Sequence, residues 1–182
     1  KQQSEFIESF KIYLSRSYGR RLDRYEQEKV DITGETCPCY LFLTTEDYVR
    51  LGSVIRVNPP VREAKDAAAL WEALGAGVVD MIATDHAPHT PEEKNRDVIW
   101  QADCGFPGVE TQMPLMLTEV AAGRLTLPQY VRLSAGAPAR AFGLWPKKGR
   151  IAVGAHADIG QRRGIDHAAR LSCGKVKSGV TK

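Results

Sequence analysis

Histidine is scarce in this sequence: there are four among 182 residues, and none precedes His86. A site assembled from several imidazoles upstream of that point is thereby excluded. Cysteine is little richer, and Cys37, Cys39, Cys104 and Cys173 are too few and too unevenly spaced to frame a disulfide-stapled fold. Reduced thiols are expected. In Cys37-Pro38-Cys39 one residue separates the thiols, whereas zinc knuckles use two to four and add a second pair, so burial is the simpler reading there. No run approaches the roughly 20 apolar residues of a membrane span. The segment KQQSEFIESFK has no apolar stretch of the kind a secretion signal needs, which makes the cytoplasm the expected compartment.

Aromatic residues stop at Trp145, and acidic residues become rare beyond it. Residues 146–182 carry nine basic and two acidic side chains, against nine and fifteen in 31–145, within a net charge of +3. Arg162, Arg163, Arg170, Lys175 and Lys177 could contact phosphates, but with no aromatic residue among them to stack on bases a solvated tail is the better reading. Nucleic acid and membrane are accordingly not expected as partners.

What remains is ordinary for a globular protein, with 43% hydrophobic and 26% charged residues. Residues 1–29 read as a helical segment with Phe6, Ile7, Phe10, Tyr13 and Leu14 at near-helical spacing. From Val30, VDITGET alternates like a strand and then meets Cys37-Pro38. A short helix is expected over 44–51, capped by Thr44 or Thr45, and a short strand over 54–57, closed by Asn58-Pro59-Pro60. Residues 63–74 have the apolar spacing of a helix, with Gly75 and Gly77 to stop it, and VVDMIAT (78–84) reads as a buried strand. Further helices are expected over 110–122 and 127–142, the second interrupted near Gly136 and Pro138. Strand, loop, helix, strand in that order points to parallel α/β packing.

Chemistry concentrates after the strand 78–84, in Asp85-His86-Ala87-Pro88-His89-Thr90-Pro91-Glu92-Glu93-Lys94. A carboxylate at a strand's carboxyl end can ligate a metal ion and take a proton from metal-bound water. His89 could donate a hydrogen bond to a substrate carbonyl or carboxylate. The structural alternatives stand beside these. Asp85 could be a turn residue, His86 and His89 fall one short of the i, i+4 spacing of paired helix ligands, and Glu92 and Glu93 could open a helix capped by Thr90.

The run IATDHAPHTPEEK (82–94) resembles the signature of dihydroorotases and of their hydantoinase (dihydropyrimidinase) and allantoinase relatives in the amidohydrolase superfamily. GETCPCYLFLT (34–44), VNPPVR (57–62), GFPGVETQMPLMLTEV (105–120) and KGRIAVGAHADI (148–159) resemble the same family in the same order. The resemblance implies an incomplete (β/α)8 TIM-type barrel over 30–145, its last strands and helices, with 146–182 holding the start of a C-terminal β-sandwich return and a basic tail. It implies zinc as cofactor and a small cyclic amide as substrate. Asp85 would be the metal ligand and catalytic proton carrier. Asn58, His89, Gly105, Pro107 and Gly108 would contact substrate.

This sequence departs from the family in the remaining ligands. The family's His-x-His pair, its bridging carboxylated lysine or aspartate, and two later histidines have no counterpart here, and Cys39 stands where the family usually has His or Gln. One carboxylate does not hold zinc at useful affinity. The expectation is therefore a cyclic-amide hydrolase chain that is not competent in isolation and is completed by a homo-oligomer or a second chain, or else a non-catalytic relative serving as partner or scaffold.

Overall fold

In the computed structural model residues 33–160 are described. The helix expected over 1–29, the start of the VDITGET strand and the basic tail beyond 160 lie outside them. Two short parallel strands organise the fold: β1 (Glu35–Thr36) pairs with β2 (Met81–Ile82) in the register Glu35 to Met81 and Thr36 to Ile82. Ala83 continues the pairing by donating its N–H to the Thr36 carbonyl at 2.8 Å. Met81 and Ile82 are both buried, as a parallel strand covered on both faces should be. The strand expected over 78–84 thus keeps its place but narrows to two paired residues.

Between the strands run α1 (Pro38–Phe42), a 3-10 turn (Thr45–Asp47) leading into α2 (Tyr48–Leu51), a second 3-10 turn (Gly52–Ile55), and α3 (Ala64–Ala76). Thr44 caps the first turn as expected, and its N–H reaches the Asp47 carboxylate at 2.9 Å. That bond, the largest of several causes, holds the Asp47 carboxyl below its ordinary range. The expected strand over 54–57 is a correction. Ile55 and Val57 do alternate with Arg56, but they are buried against Val61 in a small apolar cluster, and Arg56 N–H closes back onto Ser53. Alternation here reports burial of a tight turn, and β2 pairs with 35–36 instead.

A second correction concerns Gly75, which lies inside α3. The helix passes through it and ends at Gly77, whose φ of 76° supplies the left-handed turn that directs N–H groups to the Ala73 and Leu74 carbonyls. After β2 come α4 (Pro91–Lys94), a 3-10 turn (Ile99–Gln101), α5 (Gly108–Ala121), α6 (Leu127–Val131) and α7 (Ala137–Ala141). A π-helical stretch (Arg132–Gly136) joins the last two, with Pro138 in the first turn of α7, which is the interruption expected near those residues. Residues 151–160 carry no strand, so the β-sandwich return finds no strand among the described residues.

The main core joins Leu41, Leu74, Ile82, Met116, Leu125, Tyr130 and Leu133. Trp71 ties α3 to α1: its indole N–H donates to the Leu41 carbonyl at 3.0 Å, and its ring meets Phe42 edge-on at 5.5 Å. No helix is long and apolar enough to cross a membrane among the described residues.

Candidate functional site

The carboxyl end of β2 delivers Asp85 in an unusual conformation for a residue with a side chain, φ 47°. From there the chain runs beside the segment 104–109. His86 forms a parallel bridge with Phe106, Ala87 N–H donates to the Phe106 carbonyl at 2.9 Å, and Val109 N–H donates to His86 Nδ1 at 3.2 Å. A third segment joins through Arg56, whose carbonyl accepts the Gly105 N–H at 3.1 Å.

Glycine is required at this junction. A Cβ at Gly105, which has φ 133°, would stand 2.4 Å from the Ala87 Cβ, and one at Gly108 would stand 2.3 Å from the Thr84 carbonyl oxygen. The segments 84–87 and 105–108 therefore meet at close range, with backbone atoms in contact.

Lys94 locks the arrangement. Its residue is 6% exposed, and its ammonium donates to the carbonyls of Arg56 at 2.6 Å, Asp103 at 2.8 Å and Gly105 at 2.9 Å, over the Phe106 ring at 5.1 Å. Burial pulls its pKa down, while the neighbouring Cys104 and Asp103 oppose that shift. Arg56 adds guanidinium bonds to the Trp100 and Ala102 carbonyls, and Ser53 brackets Arg96 by accepting its N–H at 2.9 Å and donating to its carbonyl at 2.8 Å.

Of the residues singled out from sequence, Asp85, His89, Gly105, Pro107 and Gly108 lie on these two adjoining segments. Asn58 is exposed and stands two residues beyond the Arg56 carbonyl, next to Pro59, whose carbonyl accepts the Tyr40 hydroxyl at 3.0 Å. Thr90 does cap α4: its side chain accepts the Glu93 N–H at 3.3 Å, and the Glu93 carboxylate accepts the Thr90 N–H at 2.7 Å. His89 Nε2 lies 3.0 Å from the Cys104 carbonyl, which can only accept, so Nε2 carries a proton and Nδ1 faces Glu93 at 3.6 Å.

The Glu93 carboxyl is held below its ordinary 4.5, first by the Thr90 N–H and then by the nearby His89. A depressed carboxyl favours the folded state above the unfolded pKa, and that contribution is lost as pH falls below about 4.5 through the folded value. A carbon-detected titration should show Glu93 protonating below the ordinary 4.5, with Thr90→Pro, which deletes the N–H that the carboxylate accepts, bringing it back toward that value. Equal midpoints in the parent and the variant would remove the capping bond as the cause.

His89, Glu93 and Asp103 place three donor atoms within 4.8 Å of one another, a group that could hold a metal ion. It is the one such group among the described residues, and Asp85 is outside it. The described residues therefore do not build a complete metal centre on Asp85. Asp103, Lys94 and Arg56 were not legible as site residues in the sequence. The only local signal was a lysine closing the charged run 82–94.

The sequence profile of the amidohydrolase family matches residues 22–160. The chain belongs to that family. The chain is 41% identical over 138 residues to an L-hydantoinase of Paenarthrobacter aurescens, covering 74% of this chain and 30% of that protein. It is 46% identical over 127 residues to a dihydroorotase of Halobacterium salinarum, covering 70% and 30% respectively. Among solved structures, the L-hydantoinase (dihydropyrimidinase) from Arthrobacter aurescens superposes with a TM-score of 0.70 at 38% identity, over 76% of this chain and 31% of that one. A D-hydantoinase from Thermus sp. gives 0.68 at 30% identity, over 74% and 31%. The chain thus spans about a third of the length of the relatives it matches.

Proposed function

We propose that this chain supplies the substrate-facing strand ends of a metal-dependent hydrolase that opens a cyclic amide, on part of a (β/α)8 barrel. The observation that carries this reading is the gathering of the segment that carries Asp85, at the end of a parallel strand, with the 104–108 segment and the Arg56 carbonyl, two residues before Asn58. Opening a cyclic amide requires a proton to be taken from the attacking water and returned to the departing ring nitrogen. Asp85 is the carboxylate for both transfers. Gly105, Pro107 and Gly108 present backbone to the ring, while Asn58 and His89 contact its polar edge. For His89 that requires the imidazole to give up the Cys104 carbonyl or the Glu93 carboxylate. The dihydroorotase end of the family is favoured by the DHAPH run together with Asn58.

Zinc, when bound, would supply an activated water and a Lewis acid. The described residues offer no three-donor set that includes Asp85. A second copy or another chain would complete the site, and exposed apolar side chains such as Val78, Trp100, Ile151 and Val153 support a covered surface. The missing donor set also favours a second reading, a non-catalytic amidohydrolase partner or scaffold.

Metal analysis separates the two. The purified chain and Asp85→Ala are dialysed against trace zinc, then assayed for ring opening of dihydroorotate and of hydantoin. Where a second copy completes the site, stoichiometric zinc that depends on Asp85, with turnover lost by at least about 100-fold in the variant, is the expected result. Absence of both zinc and turnover in the parent would retire catalysis by copies of this chain alone, in favour of the scaffold or of completion by another chain.

A further inference from the structure

We propose that Cys37 and Cys39 form a reversible redox site: a dithiol that closes to a disulfide on two-electron oxidation by a peroxide and reopens with a thiol reductant. Their Sγ atoms stand 3.2 Å apart. A disulfide needs about 2.05 Å, so closing requires a movement of only about 1.2 Å.

The local backbone explains the approach. In a continuing strand, residues two apart share a face but stand about 6.6 Å apart along the chain, and in a continuing helix they point to different sides. Here Cys37 is extended, with φ −133° and ψ 161°, and Pro38 opens α1, so Cys39 already lies in the first helical turn. The corner between the two conformations draws the sulfurs together. Zinc is a poor occupant of such a pair, since one intervening residue is too short and no second cysteine pair adjoins it in sequence.

Access differs between the two thiols. Cys37 is 4% exposed, whereas Cys39 is partly exposed. Peroxide therefore meets Cys39 first. The Cys39 sulfur attacks one peroxide oxygen, the O–O bond breaks, and a sulfenic acid and one water form. The Cys37 sulfur then attacks the Cys39 sulfur, the S–S bond forms, and the sulfenic oxygen leaves as a second water. Two thiols and one hydrogen peroxide give one disulfide and two waters, with both electrons passing from sulfur to the peroxide.

The pair borders the site without belonging to it. Cys37 follows Thr36, whose carbonyl holds the Ala83 N–H two residues before Asp85. Cys39 packs on the Ile55, Val57 and Val61 cluster that Phe106 also joins. Closing the bond would tie the end of β1 to the first turn of α1, beside the segments that carry Ala83 and Phe106.

The test reads mass, so its outcome is independent of turnover. The full chain, reduced and then treated with one equivalent of hydrogen peroxide, should lose about 2 Da, the two thiol hydrogens. Peptide mapping after alkylation should place the bond between Cys37 and Cys39, and dithiothreitol should reverse it. A Cys104→Ser, Cys173→Ser double variant, which leaves the pair intact, should behave the same, and Cys39→Ser should abolish the loss. Sulfinic or sulfonic acid on either thiol without the loss of two hydrogens would overturn the proposal, as would bonding of either one to Cys104 or Cys173.

Discussion

Lys94→Met should lower the free energy of unfolding by about 3 kcal/mol, because it removes an enclosed ammonium from three converging carbonyls. Methionine fills much the same space but donates nothing. The Arg56, Asp103 and Gly105 carbonyls, held at 2.6, 2.8 and 2.9 Å, would each lose a charged donor. Among the described residues only the Arg56 carbonyl keeps another, the Gly105 N–H. Lys94→Arg should rescue little, since a planar fork matches a carboxylate and not three carbonyls meeting at one point. Urea denaturation checks this: the midpoint should fall with the slope unchanged, and amide exchange should rise first at Gly105. A midpoint within about 0.5 kcal/mol of the parent would show that the ammonium does not hold the loops together.

The second large effect is expected at Gly108, and a control within the same chain gives it a sign. Gly108→Ala should cost roughly 3 kcal/mol, because the new Cβ would lie 2.3 Å from the Thr84 carbonyl oxygen and 3.1 Å from its carbon. Both are backbone atoms at the end of β2, so no rotamer change relieves the clash. Either α5 retreats or Thr84 and Asp85 shift, and the second course displaces the carboxylate on which the proposed chemistry rests. Gly75→Ala is the control. It lies inside α3 with nothing within 4 Å of its Cβ position, and should stabilise the chain by up to about 1 kcal/mol through helix propensity alone. Thermal melts of the two variants should move in opposite directions. A shared direction would mean that the close approach at Gly108 is relieved cheaply.

Much of the local structure was legible because its causes are local. The Thr90 and Glu93 capping pair, the Thr44 start, the stop at Gly77 and the break near Pro138 all depend on residues within about four positions of one another. The strand over 54–57 misled for the same reason. Alternating burial of Ile55 and Val57 is shared by a strand and by a tight turn pressed on a core, and only the long-range pairing of 35–36 with 81–82 separates them.

The sequence by itself determined the family, through ordered motifs from GETCPCYLFLT to KGRIAVGAHADI, and the placing of a carboxylate, Asp85, at the end of a buried strand. Tertiary structure decided which loops meet there. Lys94 is bound to Arg56 across 38 positions, Asp103 comes beside His89 and Glu93, and Gly105 closes on Ala87. The physical reason is that a charged side chain carries no mark of its own burial. Whether an ammonium is solvated or enclosed depends on carbonyls brought to it from distant segments, and local periodicity does not encode those meetings.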